Sequence, residues 1–180
     1  MNRILAAGLI LGLSACATAP EAPPVAEAPP APAAAPPAPA ALGLIDRYDE
    51  QALRSILGEL EYVVVDASVT ASGKPFLTVE PGAGLVFVVT GEDCSGEGAA
   101  KVCPGVQLSA QFAEAGDTDF DELIARANRT LRPAKLFRGG SGVAYERYLI
   151  LDGGVSRENL KTEISVYVEI LGALMKQINP

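Results

Sequence analysis

The sequence predicts an α+β domain, an antiparallel sheet with helices packed mostly on one face, in the order α-β-β-β-β-α-β-β-α. Three observations predict it. Strand-length apolar runs are separated by Gly- and Pro-rich turns short enough for hairpins. Val106, Leu108, Ala110 and Phe112 alternate with Gln107, Ser109 and Gln111, the period of a half-buried strand. Three further segments carry apolar residues at helical spacing behind a capping residue.

In chain order, Asp49 caps a first helix with Leu53, Ile56, Leu57 and Leu60 on one face. The β-branched run Tyr62 to Val65 is the first strand. Ser72-Gly73 turns the chain into a second strand, Phe76 to Glu80, and Pro81-Gly82-Ala83-Gly84 turns it again. Leu85 to Val89 is apolar throughout, which predicts a strand covered on both faces. A polar loop bounded by Cys94 and Cys103 leads through Pro104-Gly105 to the alternating strand 106–112, the antiparallel partner of 85–90. Thr118 is the expected cap of the second helix, whose stripe is Phe120, Leu123, Ile124 and Ala127. Asp119 and Asp121 suit its positive N-terminal end, and Pro133 helps to end it. Ala134 to Arg138 and Val143 to Leu151 are strands flanking the turn Gly139-Gly140-Ser141-Gly142. After Asp152-Gly153-Gly154, Ser156 caps a last helix. Its stripe of Leu160, Ile164, Tyr167, Val168, Leu171, Leu174, Met175 and Ile178, widened by Val166 and Ile170, has surface for one sheet alone or for a sheet and a second chain.

The start of the chain carries an address. Arg3 precedes ten uncharged residues, Ile4 to Leu13, too few to span a bilayer, which needs roughly 20 apolar residues, but suited to a signal peptide. Leu13-Ser14-Ala15-Cys16 looks like a bacterial lipoprotein signal, cut before a cysteine that takes up lipid. This makes residues 1–15 a signal peptide and Cys16 the lipidation site. Bacterial lipoproteins of this kind carry three acyl chains, enough for stable anchoring where one is marginal. Ala17, rather than Asp, at the next position favours the outer membrane, facing the periplasm. Residues 16–41 form the lipidated cysteine and its linker. Positions 17–41 hold 9 Pro and 12 Ala, a semi-extended spacer reaching at most roughly 75 Å at ~3.1 Å per residue. Residues 42–180 are left for one domain with one core.

Composition excludes several chemistries. Net charge is −8, and loss of Arg3 with residues 1–15 takes it to −9. An acidic chain has no electrostatic reason to bind nucleic acid, and anionic membrane surfaces repel it, so lipid must do the anchoring. There is no histidine, which removes Ser-His and Cys-His nucleophiles and most zinc and haem sites. No cofactor or metal is expected. With Cys16 acylated, Cys94 and Cys103 are an even pair in an oxidising space, the pattern of a disulfide. The alternative, a metal or redox pair, lacks both Cys-x-x-Cys spacing and histidine. The nearest carboxylate pairs for acid–base work are Asp119 with Glu122 and Glu92 with Asp93. The first suits a helix N-terminus and the second a solvated loop. Gly139-Gly140-Ser141-Gly142 lies between strands with no Gly-Lys-Ser/Thr after it, so it is no phosphate loop. Gly153-Gly154 precedes a helix and is either an anion seat or a tight turn.

The order and spacing of these pieces resemble the YbjN family, also called bacterial sensory transduction regulators, over about 45–178. The matching pieces are Leu53 to Val65, the apolar strand ending at Gly91, and the two cysteines before Val106 to Phe112. Asn128-Arg129-Thr130-Leu131-Arg132 resembles the family's Asn-x-x-x-Arg element, and Tyr148 to Leu160 its strand, Gly-Val turn and Asn-Leu helix start. The resemblance implies a fold like that of type III secretion chaperones, homodimeric modules that bind extended protein segments, with no enzymatic activity. It marks Asn128, Arg132, Gly153, Gly154 and Asn159 as motif residues. Asn128 and Arg132 would either bind a carboxylate or anion or tie a helix end to a neighbouring strand. The functional expectation is a non-enzymatic, membrane-tethered envelope module that holds a periplasmic polypeptide through exposed strand edges. A passive structural or stress-related envelope lipoprotein is the alternative, and a carboxylate hydrolase a more distant one.

Overall fold

The computed structural model describes residues 43–113, 118–131, 134–140 and 142–178. The segments 1–15 and 16–41, with Cys16, lie outside the described residues, as do Arg132, Pro133 and Ser141.

The described elements follow the expected order: α1 (Glu50–Glu59), β1 (Val63–Val69), β2 (Pro75–Gly82), β3 (Leu85–Glu92), β4 (Gly105–Ala113), α2 (Phe120–Thr130), β5 (Lys135–Gly139), β6 (Gly142–Ile150) and α3 (Arg157–Ile178). The six strands form one antiparallel sheet in the order β1-β2-β3-β4-β6-β5. The fold is therefore α+β, with edges at β1 and β5.

Each helix begins where its cap dictates. The Asp49 carboxylate accepts the Ala52 N–H at 2.9 Å, and Ser156 Oγ accepts the Asn159 N–H at 3.1 Å. At α2 the cap is Asp119, not Thr118. The Asp119 carboxylate accepts from the N–H groups of Asp121 and Glu122, whereas the Thr118 hydroxyl reaches the Ile178 carbonyl on α3. A carboxylate one residue later serves the N-terminal dipole as well as two N–H groups, which a hydroxyl cannot match.

The three helices cover one face of the sheet. Leu53, Ile56 and Leu57 of α1, Phe120, Leu123 and Ala127 of α2, and Leu160, Ile164, Tyr167, Leu171, Leu174 and Ile178 of α3 share a single core with the inward residues of the strands. The inward set alternates: Leu77 and Val79, Phe87 and Val89, Val106 to Phe112 at every second position, Leu136, then Val143 and Tyr145. Beneath α3 the rings form a column. Tyr145 stacks on Tyr167 at 4.7 Å, Tyr167 tilts against Phe87 at 5.6 Å, and Tyr62 meets Phe87 edge-on.

One expectation changes here. β3 is not covered on both faces: its burial alternates, with Phe87, Val89 and Gly91 buried and Val86 exposed. The apolar run packs against one layer only. The wide stripe of α3 is buried at Leu160, Ile164, Tyr167, Leu171, Leu174 and Ile178 and half-buried at Val166, Val168, Ile170 and Met175. Among the described residues the large exposed hydrophobics are Val63, Val65, Val69, Val86, Phe137, Tyr148 and Ile150, all on strands and none on α3.

Candidate docking face and the residues that frame it

The two sheet edges differ. At β5, Asn128 of α2 acts as an extra strand in miniature. Its amide donates to the Leu136 carbonyl at 2.7 Å and its amide oxygen accepts the Leu136 N–H at 2.8 Å. One side chain thus occupies the outward backbone groups of Leu136, a blunting of an edge that would otherwise template pairing. Of the two roles weighed for Asn128, the structure places it in the tie between helix end and strand. Asn128→Ala is expected to lower stability by about 1–2 kcal/mol, for two partly solvated backbone groups losing partners. It should also raise self-association, and sedimentation at rising concentration reads the second effect. β1 has no such plug among the described residues. It is seven residues long with a single charge, Asp66, and a bulge after Val64.

Gly153, Gly154 and Asn159 sit elsewhere, at the joint between β6 and α3. Gly153 and Gly154 have φ of +83° and +90°, a left-handed conformation that glycine adopts without penalty. The Gly154 N–H donates to the Leu151 carbonyl at 2.8 Å, which is the tight-turn reading of this pair. Asn159 is exposed and lines a small crevice with Tyr148, Leu151 and Glu163. The described motif residues thus serve two separate joints rather than one site.

Cys94 and Cys103 are joined at 2.08 Å, nine residues apart in sequence. They lie just beyond the last rung of the β3–β4 ladder, Glu92 opposite Gly105. Between them Ser95 and Val102 exchange both backbone bonds at 2.9 Å. Gly91 lies beneath the bridge, where a Cβ would come within 3.1 Å of the Cys103 sulfur and 3.0 Å of Pro75.

Three of the four carboxylates weighed for catalysis are otherwise engaged. Asp119 caps α2, Glu92 is paired with Lys74, and Asp93 accepts the Tyr148 hydroxyl. Among the described residues, no three His, Cys, Asp or Glu side chains are grouped to hold a metal, and no helix is long and apolar enough to cross a membrane.

The face turned away from the helices carries Phe76, Thr78 and Glu80 of β2, Val86, Val88, Thr90 and Glu92 of β3, Gln107, Ser109 and Gln111 of β4, and Ala144, Glu146, Tyr148 and Ile150 of β6, by the register of the ladders. Lys135 and Phe137 of β5 stand opposite Glu146 and Ala144. A cleft of about 340 Å³ opens here, lined by Gln107, Ala134, Lys135, Phe137, Glu146, Arg147 and Tyr148, with the Arg147 guanidinium paired to Glu163 of α3. Small Ala144 stands directly opposite Phe137. Tyr148 lies across β4 over Gly105, where any Cβ would collide with its hydroxyl. The bond to Asp93 pushes the Tyr148 phenol up to about 12, helped by burial and by the charges of Asp93 and Glu92.

Burial, and secondarily the charge of Glu92, pushes the Glu146 carboxyl above its ordinary range, with Gln107 alongside working the other way. An acid raised by folding destabilises the native state while it is ionised, and the cost vanishes as pH falls through its folded pKa. Glu146→Gln is therefore expected to raise the melting temperature slightly at pH 7. The gain should close below about pH 4, the unfolded carboxylate range. Paired thermal melts across that range check it. None of the cleft residues stood out in the sequence as a site. The one available signal was the alternation of Ala144, Glu146 and Tyr148 opposite Gln107 and Ser109.

Comparison with family models, with curated proteins and with solved structures yields no match to this chain.

Proposed function

We propose that this protein is a non-enzymatic, lipid-anchored envelope module, with a YbjN-like domain that holds a polypeptide against its sheet. The observation that carries the reading is the distribution of exposed apolar side chains. Among the described residues the large ones all lie on strands, and Val86, Phe137, Tyr148 and Ile150 belong to the face that no described helix covers. Isolated exposed hydrophobics are ordinary, but a sheet face bearing several of them, rimmed by polar groups, has the composition of a docking surface. The absence of histidine and the engagement of three of the four carboxylates weighed for catalysis support a binding rather than a catalytic role. The tether rests on the lipoprotein-like start ending at Cys16 and on the Pro/Ala spacer. A disulfide between Cys94 and Cys103 fits the periplasmic side of such an anchor.

A photo-cross-linking side chain placed at Val86 or Ile150 in the full chain, in intact cells, tests the docking face. The expected result is a discrete polypeptide adduct at the sheet positions and none at Glu169 on α3. No adduct at either sheet position would overturn it. Intact mass of the membrane-extracted chain tests the tether: a start at Cys16 with added acyl mass supports it, and an unlipidated chain beginning at Met1 removes it.

A further inference from the structure

We infer that the cleft around Glu146 seats a lysine or arginine side chain from an extended cationic segment of another polypeptide. The inference rests on the docking-face reading and names the chemistry of its partner.

Charge complementarity carries it. By strand register the uncovered face presents Asp66, Glu80, Glu92 and Glu146 against Lys135, with Lys74 just ahead of β2. Lys74 is already held by Glu92. Among the described residues Glu146 has no ion-pair partner, although Lys135 is its direct cross-strand neighbour. A cation entering the cleft would meet the Glu146 carboxylate at one side and the exposed rings of Tyr148 and Phe137 at the other two. An aromatic face attracts a cation, the more so where water is displaced, and a bidentate guanidinium bond to a carboxylate is among the strongest neutralising contacts available. The side chain of Gln107 adds an amide to the same wall. A volume near 340 Å³ is at the small end of ligand sites, which suits one side chain rather than a cofactor. Exposed Val86 and half-buried Val88, on the neighbouring strand, offer apolar contact to residues beside the cation. The raised Glu146 carboxyl is consistent with a charge held at a cost until a partner neutralises it.

The test uses the full lipidated chain in detergent. It is titrated calorimetrically with a capped hexapeptide alternating valine and arginine, and with counterparts carrying citrulline or glutamate in place of arginine. The arginine peptide is expected to bind, with the citrulline peptide weaker by about tenfold, the loss of one charge-assisted contact. Glu146→Gln and Tyr148→Ala should each weaken the arginine peptide by about the same factor. Tyr148→Phe should retain most of the binding, and Lys135→Ala should tighten it by removing a competing cation. Glu169→Gln, on the far side of the molecule, should change it by less than about twofold if attraction to net charge is not the cause. Equal binding of the citrulline peptide, an unaffected Glu146→Gln, or a Glu169→Gln loss matching that of Glu146→Gln would each overturn the inference. Cross-links at Val86 or Ile150 that persist alongside any of these outcomes would leave the docking face standing and remove only the cationic specificity.

Discussion

Tyr167→Ala is expected to cost about 3–5 kcal/mol, the range for emptying a large aromatic site in a core. Domains of this kind are stable by only about 5–15 kcal/mol, so the variant should unfold at a far lower denaturant concentration. Tyr167 is fully buried and sits at the centre of the ring column, stacked on Tyr145 and tilted against Phe87. Its hydroxyl donates to the Tyr145 carbonyl at 2.9 Å, so the ring also fixes α3 to β6. Burial drives its phenol pKa far upward, and no ionised form contributes near neutrality. Tyr167→Phe separates the two terms. It keeps the column and removes one hydrogen bond, with an expected loss of about 1 kcal/mol. Urea titrations of the three proteins should rank them wild type, Phe, Ala. A Phe variant as weak as Ala would mean that the hydrogen bond, not the packing, holds α3 in place.

The column shows what the sequence makes legible. Helical spacing in 160–178 and alternation in 106–112 both report which side chains hide from water, and both are answered by the core. Turns were legible for the same local reason, since Gly73, Gly82, Gly84 and Gly140 adopt positive φ where the chain reverses. Periodicity is silent on how many layers cover a sheet. Val86 and Val88 are the same residue types as their buried neighbours, so the run 85–89 suggested two covered faces where there is one. Cap identity was misplaced by one residue because Thr118 and Asp119 are both competent caps, and only the position of the Ile178 carbonyl draws Thr118 away.

The candidate site was less legible than the fold, for a physical reason. Glu146, Tyr148, Gln107, Lys135 and Phe137 come from three strands, and β6 reaches β4 only because β5 has moved to the edge. Nothing local encodes that crossover. Asn128 is the opposite case. Its partner Leu136 is eight residues away, but an amide matching one residue's N–H and C=O depends on the angle between α2 and β5, which spacing does not specify.

Reduction of Cys94–Cys103 is expected to lower stability by about 2.5–3 kcal/mol, the chain-entropy value for a loop of about ten residues. Reduction is a cleaner probe than substitution, because Cys103 is 3% exposed and alanine there would add a packing loss. The fold should survive. The β3–β4 ladder runs from Val88–Ser109 to Glu92–Gly105 without the bridge, and Val89, Leu108 and Val106 anchor it in the core. Damage should therefore be local. The Tyr48 N–H donates to the Cys103 carbonyl at 2.8 Å, so the segment leading into α1 should loosen together with 95–102. Hydrogen exchange should quicken at Tyr48, Ser95 and Val102 and stay slow at Val89 and Leu108. Faster exchange across the whole ladder would show that the bridge sets the strand register and not merely the loop. A domain that folds without its disulfide also folds in a reducing compartment. The fold of a reduced sample then carries no information about location, and the argument for the envelope returns to the lipoprotein-like start that ends at Cys16.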